Sequence, residues 1–317
     1  MLSRVAESVY WMNRQIERAE NVARAVETTL DLALDGAISH GLLWNALVCT
    51  FGDQADFQKR HGHADQARVI SFMAFDPENP NSIACCLRAA RENARTVRDM
   101  ISTPMWEEIN KAHLEVQQAA KRYGGWLHPR EFLDEVKRAS QLITGVSDAT
   151  MSHGEAWHFG RLGRLVERAD KTSRVLDVEH YFRPAASRFA RPADGDGAKS
   201  GDPAAFAFAP PAVGWIDGDS ATFPAGVSLV EAEKQAAEPT NGDAVQWSAV
   251  LESASALEMY RKQYGAVSRR NVAEFLVFDR FFPRAMHFCL NKAEESLLAI
   301  TGGARGAYTN PAEQRLG

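Results

Sequence analysis

Long apolar runs are missing from this sequence. No stretch of about 18 consecutive apolar residues occurs, so nothing in it reads as a membrane-spanning helix. Cysteine is scarce: Cys49, Cys85, Cys86 and Cys289 are the four among 317 residues, and none forms a C-x-x-C pair. That excludes a disulfide-dense scaffold and points to a reducing cytoplasm. Basic charge is not in excess. Lys and Arg number 36 against 41 Asp and Glu, a net charge of −5, so there is no global field to hold nucleic acid. The opening residues, MLSRVAESVYWMNRQIERAEN, are charged from Arg4 onward and lack the apolar core of a signal peptide. There is no G-x-S-x-G nucleophile elbow and no glycine-rich phosphate loop after a strand; GRLG (160–163) lies inside a helical pattern. Alternating, strand-like patterning is nearly absent as well.

Apolar residues at three- and four-residue spacing fill most of what remains, so the expectation is an all-α, multi-helix bundle. A first long helix is expected from Ser3, as N-cap, to Asp35, with Gly36 closing it. Shorter helices are expected around 42–50 and 64–75. Others follow from the turn at 76–82 to Ser102, from Thr103-Pro104 to about Tyr123, and from His128-Pro129 to about Gly145. A long one covers 154–182, and two more cover 244–264 and 268–301, the last kinked or split by Pro283. The stretch 186–243 differs, with 6 of the 13 prolines and 7 of the 22 glycines. It reads as an inserted, disordered loop, or as one whose Phe206, Phe208, Trp215 and Phe223 dock on the bundle or a partner. The expected organisation is one discontinuous helical domain, 1–185 with 244–301, the low-complexity insert 186–243, and a tail 302–317.

One motif occurs twice. RQIERAENVARAVE (14–27) and RLVERADKTSRVLD (164–177) share Arg14/Arg164, Glu17/Glu167, Arg18/Arg168, Ala19/Ala169 and Arg24/Arg174 at an offset of 150. Five identities in positions 14–24 compare with roughly one expected from composition. Glu20/Asp170 and Glu27/Asp177 keep their charge. At about 100° per residue, Arg14, Glu17, Glu20 and Arg24 form one stripe, as do Arg164, Glu167, Asp170 and Arg174. Two readings fit. The stripes are solvated faces laced with ordinary ion pairs worth about 0.3–0.5 kcal/mol each. Alternatively they form a buried polar seam between two related helices, for which arginine's planar fork suits carboxylate or phosphate geometry.

These residues, with ARENARTVRDMIS (90–102) followed by MWEEIN (105–110), and with EFLVFDRFFPRAMHFCLNKAEESL (274–297), resemble the bacterial alpha-E family, a helical domain named for its Glu-Arg motif. The resemblance covers about 1–185 and 244–315. It implies a helical protein encoded beside an ATP-grasp-type ligase and a transglutaminase-like peptidase, and therefore a role in peptide synthesis or modification. It does not imply that this subunit performs the chemistry. Against the family pattern, the sequence adds the insert 186–243 and ends at Gly317, where the family continues with further helical sequence.

The expected function is a non-catalytic helical partner in such a system. Arg14, Arg18, Arg24, Arg164, Arg168 and Arg174 would be cations for a carboxylate- or phosphate-bearing ligand, with Glu17 and Glu167 orienting them and Glu20 and Asp170 in the same candidate site. The alternative is an enzyme forming or cleaving an amide bond, with Glu17 or Glu167 as general base. A carboxylate paired with two arginines makes a poor base near neutrality, which favours binding. A ferritin-like metal protein is the remote alternative. Glu155/His158 and Asp177/His180 supply only half of the di-iron pattern, with the histidines roughly 33 Å apart on one helix. His61-Gly-His63 is weaker still. No metal, no cofactor and no nucleic-acid partner are expected, and a homo-oligomer is compatible with the sequence. The cysteines read as buried small hydrophobes, and Trp11, Trp44, Trp106, Trp126 and Trp157 as packing residues.

Overall fold

The computed structural model describes residues 1–36, 39–51, 54–122, 128–177 and 241–303. These residues form twelve helices, and no strand occurs among them. They are α1 (Ser3–Asp35), α2 (His40–Phe51), α3 (Gln54–His61), α4 (Gln66–Ile70, continuing into a π-helical turn Ser71–Phe75), α5 (Ile83–Thr96) and α6 (Thr103–Arg122). Then come α7 (Pro129–Thr150), α8 (Glu155–Leu176), α9 (Asn241–Ser253), α10 (Leu257–Gln263), α11 (Arg269–Phe278) and α12 (Met286–Thr301). All belong to one unit, Met1–Arg183 with Asn241–Gly317. The expected insert lies outside the described residues as far as 240, as do residues 304–317 of the expected tail.

Local chemistry explains most helix ends. Gly36 takes a left-handed φ of 66° at the C-cap of α1, where a side chain would be strained. Ser82 accepts from the Cys85 amide at the start of α5, and Pro129 occupies the first turn of α7, where no amide hydrogen is needed. Pro283 lies between α11 and α12, so the expected split is present. Other expectations need correction. Leu2, not Ser3, stands at the N-cap of α1, without a side-chain hydrogen bond. Helix α5 stops at Thr96 instead of Ser102, and α7 runs on to Thr150 instead of Gly145. The segment 244–264 is two helices, broken at Ser255, whose φ is +50°. Helix α3 was not foreseen.

Helix α1 is the axis of the fold. It packs against α8, α5, α7, α2 and α9, and α8 packs in turn against α12. Its apolar side supplies Met12, Ile16, Ala19, Val22, Ala23 and Val26 to a core that also holds Trp44, Phe57, Phe72, Ile109, Leu133, Tyr260 and Phe275. Its polar side is buried too, including Glu17, Glu20, Asn21 and Arg24. A second, smaller cluster of Leu165, Ala169, Cys289 and Ala293 joins α8 to α12. Trp44 is fully buried, as expected for packing, whereas Trp11 is 37% exposed.

Candidate functional site

The two motif helices lie side by side, parallel and in register. Met1 meets Glu155, Arg14 and Arg18 meet Glu167, and Arg168 meets Glu17, all at sequence separations of 149–154. Two glycines permit the close approach. A Cβ on Gly163 would lie 2.3 Å from the Tyr10 carbonyl oxygen, and one on Gly160 would lie 2.6 Å from the Asn13 side-chain nitrogen. The GRLG tetrapeptide is therefore a packing device.

At this seam the motif pairs with its own repeat, reciprocally. Arg168 donates from Nε and Nη2 to the two Glu17 oxygens, both at 2.8 Å. Arg18 donates in the same way to Glu167, at 2.7 and 3.0 Å. Two parallel N–H···O bonds per pair are what the guanidinium fork is shaped for. Arg14 adds a 2.8 Å bond from Nε to Glu167, and Arg284 adds one of 3.1 Å to Glu17. Asn21 and Lys171, equivalent in the repeat, each approach the glutamate one turn before, at 3.2 and 3.5 Å. Both glutamates are essentially inaccessible to water, at 1% and 0% exposure. Burial alone would raise their carboxyl pKa values. For Glu17, Arg168 and Arg284 overcome it and hold the pKa at about 2. For Glu167, Arg18 does the same in direction. The reciprocal effect raises the pKa of Arg168, despite its burial, because Glu17 faces it.

A family model described as a predicted alpha-helical domain with a conserved ER motif matches residues 1–196 and 223–317. The chain belongs to the Alpha-E family. Its only two Glu-Arg dipeptides are Glu17-Arg18 and Glu167-Arg168, the four residues of the reciprocal lock. The family match leaves out only 197–222, a shorter stretch than the insert expected at 186–243. No curated protein and no solved structure matches the chain.

The remaining candidate residues of this Alpha-E chain divide into bound and outlying ones. Glu20 is buried and accepts from Arg24 at 2.6 Å, Arg284 at 2.5 Å and the Ser140 hydroxyl of α7 at 2.6 Å. Asp170 pairs along its own helix with Lys171 and Arg174, and the Arg174 side chain is half exposed. Arg164 does not enter the lock: the nearest carboxylate oxygen, on Asp148, is 3.8 Å away. Arg284 lies outside both copies of the motif, and the repeat does not point to it. Its position just ahead of α12, with its own carbonyl accepting from Thr172 at 2.9 Å, brings it into the seam. Asn81, which accepts from Arg18 at 3.1 Å, and Ser140 carry no signal in the sequence.

Nothing in the described residues gathers three or more His, Cys, Asp or Glu side chains to hold a metal ion. Glu155 is taken by the Met1 amino group at 2.7 Å, and Asp177/His180 reaches past the described residues at His180. Cys86 and Cys289 are buried, and burial pushes both thiols up to about 12, so neither is a ready nucleophile. No helix among the described residues is long and apolar enough to cross a membrane.

Proposed function

We propose that this Alpha-E chain is a non-catalytic helical partner of an ATP-grasp-type ligase and a transglutaminase-like peptidase in a peptide-synthesising or peptide-modifying system, with its Glu-Arg motif serving the fold. The observation that carries the non-catalytic part is the saturation of both motif glutamates. Each is buried against two arginines; the Glu17 carboxylate, held at about pKa 2, has almost no affinity for a proton at neutral pH, and the Glu167 pKa is lowered as well. A general base needs an oxygen within reach of substrate, and both Glu17 oxygens already accept from Arg168. The amide-bond enzyme with a motif glutamate as base is therefore the weaker reading. The partners themselves rest on the family resemblance.

The test is co-purification of the chain with an ATP-grasp-type ligase of the kind the family resemblance implies, combined with an assay of amide-bond formation by each protein alone and by the mixture. The proposal expects a stable complex, and turnover that requires the ligase. Amide-bond formation or cleavage by the Alpha-E chain alone, abolished by Glu17→Gln in a variant that remains folded, would overturn it.

A further inference from the structure

The reciprocity of the two motif helices breaks at one pair. Arg14 gives Glu167 a 2.8 Å bond from Nε and a 2.7 Å contact from Nη2. Its counterpart Arg164 makes no equivalent bond to Glu17, whose second arginine is instead Arg284, at 3.1 Å on Oε1. Arg164 is left with 13% of its side chain exposed and, among the described residues, no hydrogen bond. Asp148 is too far to accept one at 3.8 Å, is itself about half exposed, and already accepts from the Trp157 indole at 3.1 Å. One turn back on the same face, Arg161 is similarly underused. It reaches the Ser296 hydroxyl at 3.4 Å and Glu295 only at 3.7 Å, while Lys292 holds Glu295 at 2.8 and 3.0 Å. The Trp157 ring lies 5.3 Å beneath the Arg161 guanidinium and fixes its direction.

A half-buried guanidinium without an acceptor is costly, and buried polar groups nearly always find a protein, water or ligand partner. With 13% of its side chain exposed, Arg164 keeps contact with solvent. Burial, with Arg168 beside it, pushes the Arg164 pKa down against the opposing pull of Asp148 and Glu17.

We propose that Arg161 and Arg164, on consecutive turns of α8 beside Trp157, form an oxyanion-binding site that takes the carboxylate or phosphate group of a small ligand or peptide. Side chains three apart on a helix are neighbours at about 5–6 Å, a spacing that two forks can bridge onto one oxyanion. The site is separate from the Glu17/Glu167 lock, whose arginine forks are spent on each other's carboxylates. It stands apart from the partner reading, because anion binding by the purified chain needs no ligase.

The experiment titrates the full chain with inorganic phosphate and, separately, with N-acetylglutamate, at constant ionic strength against chloride. Isothermal calorimetry gives affinity, and arginine Nε–Hε resonances give location. The expected result is saturable one-site binding of at least one anion, weakened about tenfold or more by Arg164→Gln or Arg161→Gln and unchanged by Arg95→Gln on distant α5. In the parent, the Arg161 and Arg164 resonances shift on titration and those of Arg18 and Arg168 do not, which decides the matter even if a variant fails to fold. Preference for phosphate or for carboxylate identifies the source of the ligand. Absence of saturable binding by either anion, binding indifferent to both substitutions, or shifts confined to Arg18 and Arg168 would overturn the proposal.

Discussion

At the scale of single residues, burial turns an ordinary ion pair into a demanding one. An exposed Glu–Arg pair contributes little, but removing one partner of a buried pair costs about 3–5 kcal/mol, because the other charge is left unsolvated. Glu17 and Glu167 are in the second situation, and the position of each arginine sets its sensitivity. Arg18→Lys and Arg168→Lys keep the charge and lose the two-pronged bond, for an expected cost of about 1.5–3 kcal/mol each in chemical denaturation. Arg174→Lys, on a half-exposed side chain that pairs with Asp170 one turn before, is expected to stay within about 0.5 kcal/mol. The same burial sets the acid response. The Glu17 pKa falls from a usual 4.5 to about 2 on folding, so its contribution is complete above about pH 4.5 and is lost as the pH drops toward 2. Denaturant midpoints measured from pH 6 to pH 2 should fall through that window in the parent. In Glu17→Gln they should start lower and fall less steeply.

At the scale of elements, the central relation is the parallel packing of α1 and α8, and its weak point is Gly163. Alanine there places a methyl 2.3 Å from a backbone oxygen of α1, which cannot rotate away. Gly163→Ala is expected to cost about 1–3 kcal/mol by forcing the helices apart. Gly160→Ala meets only the Asn13 side-chain amide at 2.6 Å, which can turn, and should cost less; comparing the two thermal unfolding curves checks the order. Most helices were legible in the sequence, because apolar spacing, Gly36, Ser82, Pro129 and Pro283 are local signals. The repeat itself was legible residue by residue, and both a solvated and a buried stripe were open to it. The choice between them depends on neighbours far along the chain. Helix α1 is covered on its polar side by α8 and by Arg284 just ahead of α12, and neither contact leaves a periodic trace within α1. The glycines carried the same ambiguity: inside a helix a Gly-x-x-Gly pair reads as a weak spot until its neighbour is known. Arg164 and Arg174 show the limit of the repeat. Identical residue types sit at equivalent positions, yet one side chain is stranded near Asp148 and the other lies half exposed.

At the scale of the molecule, one polar network ties together α1, α8, α7 through Ser140, the Pro283–Arg284 segment, and the turn before α5 through Asn81. Its members come from chain segments more than 250 residues apart, so it forms only when the whole bundle closes. Among the described residues, the core that surrounds it draws on residues both before 177 and after 244. Replacing 186–239 by a short Gly/Ser linker is therefore expected to leave a single cooperative unfolding transition, since loop length adds only about 0.6 kcal/mol per doubling. Loss of that transition would mean that the replaced stretch supplies part of the core. The central claim is that the Glu-Arg motif is a lock between its own two copies. Its most direct test is a double-mutant cycle on Glu17 and Arg168, with Glu17→Gln, Arg168→Gln and the pair compared with the parent by chemical denaturation at pH 7. The lock predicts strong coupling, toward the upper end of the 0.5–3 kcal/mol known for residues in one network, with the double variant less damaged than the sum of the singles. Costs that add to within about 0.3–0.5 kcal/mol would mean that the two residues act independently, and would contradict the account.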